Sequence, residues 1–185
     1  MSKNLHQSPE DPLKRLHPQT IGKPLLLVDV DGVISLFGFD PLRPPEGRFV
    51  LVDGIAHFVS ANAGDHLRAL SEGFELVWCT GWEEKANEYL PFALGLPGSL
   101  PHLVFERHPG RAHAHWKLDA IERYAGPDQP LAWIDDAHDA DCEAWAARRL
   151  TPTLLVGTRS AEGITAAHVG ELSAWADQLA ARLRP

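Results

Sequence analysis

Hydrophobic and polar positions alternate in blocks along this chain. Leu25, Leu26, Leu27 and Val28 form an unbroken apolar run that stops at Asp29-Val30-Asp31-Gly32, the pattern of a strand buried on both faces where it meets a turn. Residues 74–79 repeat it, ending in Thr80-Gly81, and so do residues 131–134, ending in Asp135-Asp136; residues 103–105 and 153–156 are shorter strand candidates. Helical spacing fills the intervals: residues 62–72 closed by Gly73, 82–94 closed by Gly95, 115–125 closed by Gly126, and 139–150. Val169, Leu172, Trp175, Leu179 and Leu183 then recur every three or four residues as the apolar stripe of a last helix. Strands alternating with helices predict an α/β fold, a Rossmann-like open parallel sheet with helices on both faces.

One segment breaks the alternation. Residues 48–52, the pair Asp53-Gly54 and residues 55–59 read as a β-hairpin, because Asp-Gly supplies the positive φ angles of a two-residue turn. The Gly- and Pro-rich stretch 35–47 before it reads as irregular. Residues 1–22 are polar and broken by Pro9, Pro12 and Pro18, so they read as a flexible tail, and residues 23–185 as a single domain.

Charge and composition narrow the picture. The chain has 185 residues and a net charge of −8, so its surface as a whole repels polyphosphate and nucleic-acid binding would need a local basic patch. Only five of its 17 cations are lysines (Lys3, Lys14, Lys23, Lys85, Lys117), so a lysine placed where chemistry needs one is informative. Cys79 and Cys142 form no CxxC pair, which points away from a zinc framework or disulfide scaffold and towards a reducing, cytoplasmic setting. No apolar run approaches the roughly 18 residues of a membrane span, so no membrane association is expected.

Ligands of open α/β sheets bind beyond the carboxyl ends of the strands. Three of the expected strands end there in polar groups: Asp29 with Asp31, Thr80, and Asp135 with Asp136. Residues two apart in extended chain project the same way, so Asp29 and Asp31 are expected to face one substrate. Four carboxylates gathered in one cleft call for a divalent cation, and oxygen-only ligands select a hard ion, Mg²⁺. Taken singly each group has a structural explanation: a turn at Asp31-Gly32, a helix cap at Thr80, a surface Lys117, a capping pair at Asp135-Asp136. It is their order and their positions at strand ends that favour chemistry.

Together, Asp29-Val30-Asp31-Gly32-Val33, Thr80-Gly81-Trp82, Lys117 and Asp135-Asp136 resemble the four ordered motifs of the haloacid dehalogenase-like phosphohydrolases, over about residues 25–156. Residues 78–87 (Trp-Cys-Thr-Gly-Trp-Glu-Glu-Lys-Ala-Asn) with Trp133-Ile134-Asp135-Asp136 also look like a subgroup attached to predicted RNA-repair proteins. The resemblance implies that Asp29 attacks phosphorus to form an aspartyl-phosphate and that Asp31 acts as general acid and then base. It implies further that Thr80 and the Gly81 amide hold phosphoryl oxygens while Lys117 offsets charge. Mg²⁺ would sit between the Asp29 carboxylate, the Asp31 carbonyl, and Asp135 or Asp136. An acid at position 31 favours phosphate transfer over carbon–halogen cleavage.

The intervals around these motifs are too short for the cap domains of that superfamily, so the cleft is expected to be open, with the hairpin as its one flap. Open clefts there suit macromolecular substrates such as a nucleic-acid end. The alternatives are a small-metabolite phosphatase closed by a partner subunit and a module that binds a phosphorylated ligand without turnover. His102, His108, His113 and His115, with Arg107 and Arg111, read as a solvated loop, whose functional alternative is a basic rim contacting a second phosphate; no third ligand of recognisable spacing accompanies the histidines for zinc. Trp82 and Trp116 are expected in the core, with stacking on a base as their functional alternative. Cys79 reads as a buried hydrophobe, and Asp139 and Asp141 as a helix start.

Overall fold

A computed structural model describes residues 22–106 and 113–182. The expected tail, Arg107, His108, Arg111 and Leu183 fall outside these residues. The chain forms a mixed α/β structure with two sheets. Strands β1 (Leu25–Val28), β5 (Glu75–Trp78), β6 (Leu131–Asp135) and β7 (Thr153–Gly157) make a parallel sheet in the order β5-β1-β6-β7. Strands β2 (Ser35–Leu36), β3 (Gly47–Val52) and β4 (Ile55–Ser60) make an antiparallel sheet in the order β2-β4-β3.

The period of two in the strands divides the core. Leu26, Val28, Leu76, Trp78, Ala132, Ile134 and Val156 pack with α1 (Ala63–Leu70), α2 (Lys85–Leu94) and α5 (Ala166–Arg182) on one face. Leu25, Leu27, Val77, Leu131 and Trp133 pack with α3 (Leu118–Ala125) and α4 (Ala140–Arg148) on the other. Helices thus cover both faces of the parallel sheet, which is why its strands read as continuous apolar runs. All four β1 residues are buried, each contributing about 1.5–3 kcal/mol of burial free energy, so β1 is fixed at the centre and its carboxyl end gives Asp29 a rigid base.

The hairpin forms as expected, with Asp53 at φ 50° and Gly54 at φ 81° in its turn. Its tip is tied to α2, where Asp53 is ion-paired with Lys85 and accepts a hydrogen bond from the Tyr89 hydroxyl (3.0 Å).

Four expectations need correction. Residues 103–105 are not a strand: His102 forms an isolated bridge to Trp78, and the segment is held by Leu103 N–H on the Trp78 carbonyl (2.9 Å) and Phe105 N–H on Glu83 Oε1 (2.8 Å), after Asn87 has bound the amide and carbonyl of Leu100. Residues 35–47 are not wholly irregular, because Ser35 and Leu36 add a strand to the hairpin. Helix α1 stops at Leu70 with Ser71 still right-handed, so Gly73 is not its left-handed cap, whereas Gly95 (φ 62°) does end α2. Helix α2 begins at Lys85, since Glu83 takes a positive φ of 49° after Thr80.

Gly64 lies in the first turn of α1, where an added Cβ would fall 2.0 Å from the Leu94 carbonyl oxygen at the end of α2. Arg68 clasps the same place, donating to the Leu94 and Gly95 carbonyls at 2.9 Å each. Gly64→Ala gains up to about 1 kcal/mol in helix propensity, but overpacking against backbone costs about 1–3 kcal/mol or more. The substitution is expected to destabilise by about 1–2 kcal/mol, read as a lower urea midpoint. A raised midpoint would show that the helices separate easily.

Candidate active site

Neighbouring strands bring the expected groups together. Because β5, β1 and β6 are adjacent and parallel, Thr80, Asp29 and Asp135 emerge at the same edge. They line one cavity of about 520 Å³ with Asp31, Gly81, Lys117 and Asp136, below the hairpin residues Val52, Ile55 and His57. Every residue assigned to the site from sequence is found there.

Lys117 is 3% exposed, not the surface lysine of the structural alternative. Its Nζ lies 3.0 Å from Asp29 Oδ2 and donates to Asp135 Oδ2 at 2.7 Å. The remaining oxygens of both carboxylates accept backbone amides, Val30 N–H on Asp29 Oδ1 (2.8 Å) and Ala137 N–H on Asp135 Oδ1 (2.9 Å). Lys117 occupies the end of a 3-10 turn (His115–Lys117) leading into α3. That turn is fastened to the start of α4: Ala114 N–H donates to the Ala137 carbonyl at 2.9 Å, and His115 Nδ1 lies 2.6 Å from Asp139 Oδ2. Asp139 also caps α4 by accepting from the Cys142 amide, so its helix-start reading holds. Partial desolvation works to raise its carboxyl, but the bonds from His115 and Cys142 outweigh it and bring it down to about 2.

The electrostatics are those of too few cations. Burial pushes Asp29 up to about 7; Lys117 opposes the shift and Asp135 adds to it. Burial also raises Asp136 to about 6, again reinforced by Asp135 and opposed by Lys117. For Lys117, burial favours the neutral amine, yet Asp29 and Asp135 prevail and hold it charged. One ammonium therefore faces three carboxylates, with Asp31 further along the cavity. Oxygens of Asp29, Asp135 and Asp136 come within 4.8 Å of one another. This all-oxygen set fits a hard divalent cation. Asp29 and Asp135 are each already bound by Lys117 and a backbone amide, which leaves Asp136 with the most capacity for an ion.

The turn after β1 is shaped around these groups. Gly32 has φ 76°, and a Cβ there would lie 2.0 Å from Asp136 Oδ2, so no side chain fits. Thr158, just beyond β7, donates to the Gly32 carbonyl (2.8 Å), and its amide donates to the Asp135 carbonyl (3.1 Å).

Several contributors were not anticipated. His57 and Ser35 approach Asp31 from the hairpin sheet, and Trp82, which packs against the core as expected, also lines the cavity and donates from Nε1 to Asp31 Oδ2 at 3.1 Å. Alternation along 55–59 would have placed His57 with Ile55 and Val59 on one face; Thr158 has no signal in sequence. Trp116 also lines the cavity, and of the expected basic rim His113 does too. His102 sits instead beside β5. The fold sets Asp139 and Asp141 beside His115, ligand types that sequence spacing did not reveal. Cys79 is fully buried, and desolvation raises its thiol well above its ordinary value.

No family model matches the chain, and no curated protein matches it. Among solved structures it is similar to a hypothetical protein of Xanthomonas campestris, at 19% identity over 96% of this chain and 100% of that one, with a TM-score of 0.41. The chemistry of the cleft must be read from its own residues.

Two outcomes are expected. Lys117→Met strands two buried carboxylates, which costs about 3–5 kcal/mol at pH 8, and the loss should shrink at pH 5, where Asp29 takes a proton. Urea unfolding at the two pH values measures this, and a loss under about 1 kcal/mol would mean that water already screens the carboxylates. The upward shifts of Asp29 and Asp136 mean that the folded state keeps protons the unfolded chain releases. The stability they contribute is complete below about pH 4 and is lost as the pH rises through about 6 to 7. A bound divalent cation competes with those protons, so Mg²⁺ should raise the melting temperature more at pH 7.5 than at pH 5, and less in Asp136→Asn. Equal shifts at both pH values would contradict that competition.

Proposed function

We propose that this chain is a Mg²⁺-dependent phosphomonoesterase of the haloacid dehalogenase-like type, acting through an aspartyl-phosphate. The observation that carries the proposal is the buried Asp29–Lys117–Asp135 array at the ends of neighbouring strands, sharing a cavity with Asp31, Asp136 and Thr80. A purely structural ion pair would not need this many carboxylates around one lysine at the ligand-binding edge of the sheet.

In this reading Asp29 is the nucleophile. Its carboxylate is held at both oxygens, by Val30 N–H and by Lys117, so it meets phosphorus with little reorganisation. An Asp29 oxygen bonds to phosphorus as the bond from phosphorus to the leaving oxygen breaks, and Asp31 gives that oxygen its proton. Water then attacks the same phosphorus, Asp31 takes the water's proton, and Asp29 is released with inorganic phosphate. The Thr80 hydroxyl and the Gly81 amide hold phosphoryl oxygens, and Lys117 offsets the charge they share with Asp29. Asp29, Asp136 and the Asp31 carbonyl, supported by Asp135, would hold Mg²⁺, which would supply charge neutralisation for the transferring phosphoryl group.

We read the β3–β4 hairpin as the flap of a capless enzyme. In support, Val52, Ile55 and His57 line the cavity, and Asp53 fastens the hairpin tip to Lys85 and Tyr89 of α2. Such a cleft suits a phosphate at the end of a larger molecule, and the resemblance to proteins of RNA repair favours a nucleic-acid end.

The test is phosphate release. Wild type is expected to hydrolyse 4-nitrophenyl phosphate only with Mg²⁺, and Asp29→Asn to lose at least about a thousandfold in kcat. It is expected to prefer 3′- or 5′-phosphorylated oligonucleotides over sugar phosphates. Inactivity across a phosphomonoester panel would sink the enzyme reading, and a strong preference for sugar phosphates would remove the nucleic-acid substrate.

A further inference from the structure

We infer that Trp82, braced by His57, is the positioning residue for the acid–base carboxyl of Asp31, and that the hairpin thereby helps assemble the catalytic site. The inference rests on the phosphatase reading above and adds to it roles for Trp82 and His57 that the mechanism does not assign.

The geometry is a holder with three walls. Trp82 follows Thr80-Gly81 and donates its indole N–H to Asp31 Oδ2 at 3.1 Å. His57, on β4, sets its ring edge-on to Trp82 with centroids 4.5 Å apart at 68° and brings Nδ1 to 3.7 Å from Asp31 Oδ1. Ser35, on β2, meets the same Nδ1 at 3.0 Å, and Asp31 itself bridges to Ser35. The two aromatic side chains and Asp31 all line the cavity. The arrangement joins the loop after β5 to the antiparallel sheet through one carboxyl group.

The chemistry explains why such a holder matters. Asp31 is partly exposed, without the lysine and paired amides that lock Asp29 and Asp135. A carboxyl that rotates loses alignment with the leaving oxygen, and proton transfer is effective only within hydrogen-bond reach. An indole N–H can donate but not accept. It therefore holds Oδ2 as an acceptor and fixes the plane of the carboxyl, with Oδ1 beside His57. The pairing also makes the flap more than a cover, because displacing β4 would withdraw His57 from Trp82.

Trp82→Phe keeps an aromatic ring and removes the donor. The experiment compares kcat/KM for phenyl phosphate, whose leaving group needs a proton, with that for 4-nitrophenyl phosphate, whose leaving group departs as a stable anion. kcat/KM reports the step that forms the phosphoenzyme and so isolates Asp31 as acid. The variant should lose about tenfold more on phenyl phosphate than on 4-nitrophenyl phosphate, a fraction of the hundredfold or more that general acid catalysis supplies. His57→Gln, which removes the brace but not the donor, should shift the ratio in the same direction by a smaller factor. Equal losses on both esters in both variants would mean that the two residues serve packing alone and would overturn the inference, as would unchanged kinetics. A wild type inactive on both esters would instead overturn the phosphatase reading and this inference with it.

Discussion

The placement of one buried ammonium between two buried carboxylates governs much of this molecule. A lysine with 4% side-chain exposure is costly unless paired, and a carboxylate with none is costlier still. Each is tolerable here only because Lys117 reaches Asp29 and Asp135 together. That in turn requires β1 and β6 to be adjacent and parallel, and requires the 3-10 turn to be drawn over the sheet edge. The fastening of that turn to α4, through Ala114 to Ala137 and His115 to Asp139, is therefore part of the same constraint.

The array is nevertheless undercompensated. Pairing stabilises the charged form of Lys117 while leaving Asp29 and Asp136 with raised proton affinities. A site built only for stability would have ended with equal numbers of each sign or with apolar residues. Unmet negative charge in a cleft that opens to solvent is instead a standing preference for a cation.

How far sequence alone reveals this depends on where each feature is encoded. Strands β1 and β6 are legible because a strand buried on both faces must be apolar at every position, and the polar residues that end them mark the ligand edge. The Asp53-Gly54 turn is legible because few dipeptides accept its φ angles. The segment 103–105 misleads because a short apolar run looks like a strand, whereas this stretch exposes Val104 and is ordered by one bond from Leu103 to the Trp78 carbonyl and one from Phe105 to the Glu83 side chain. Gly32 reads from sequence only as a turn residue. That its missing side chain makes room for Asp136 requires the two strand ends to be superposed in space.

The contribution of Trp82 and His57 belongs to the same class of hidden information. Both are residues whose ordinary fate is burial, and nothing local distinguishes an indole that fills a core from one whose N–H is aimed at a carboxylate. The distinction arises only when the antiparallel sheet is laid against the mouth of the parallel one. The hairpin exposes Phe49 and Leu51 on its outer face, while Val59 at its base is buried in the core that covers the parallel sheet. Its tip is held by polar contacts, Asp53 to Lys85 and Tyr89 of α2. His57 lies between that buried base and the polar-tied tip, so the place of the hairpin and the surroundings of the Asp31 carboxyl vary together.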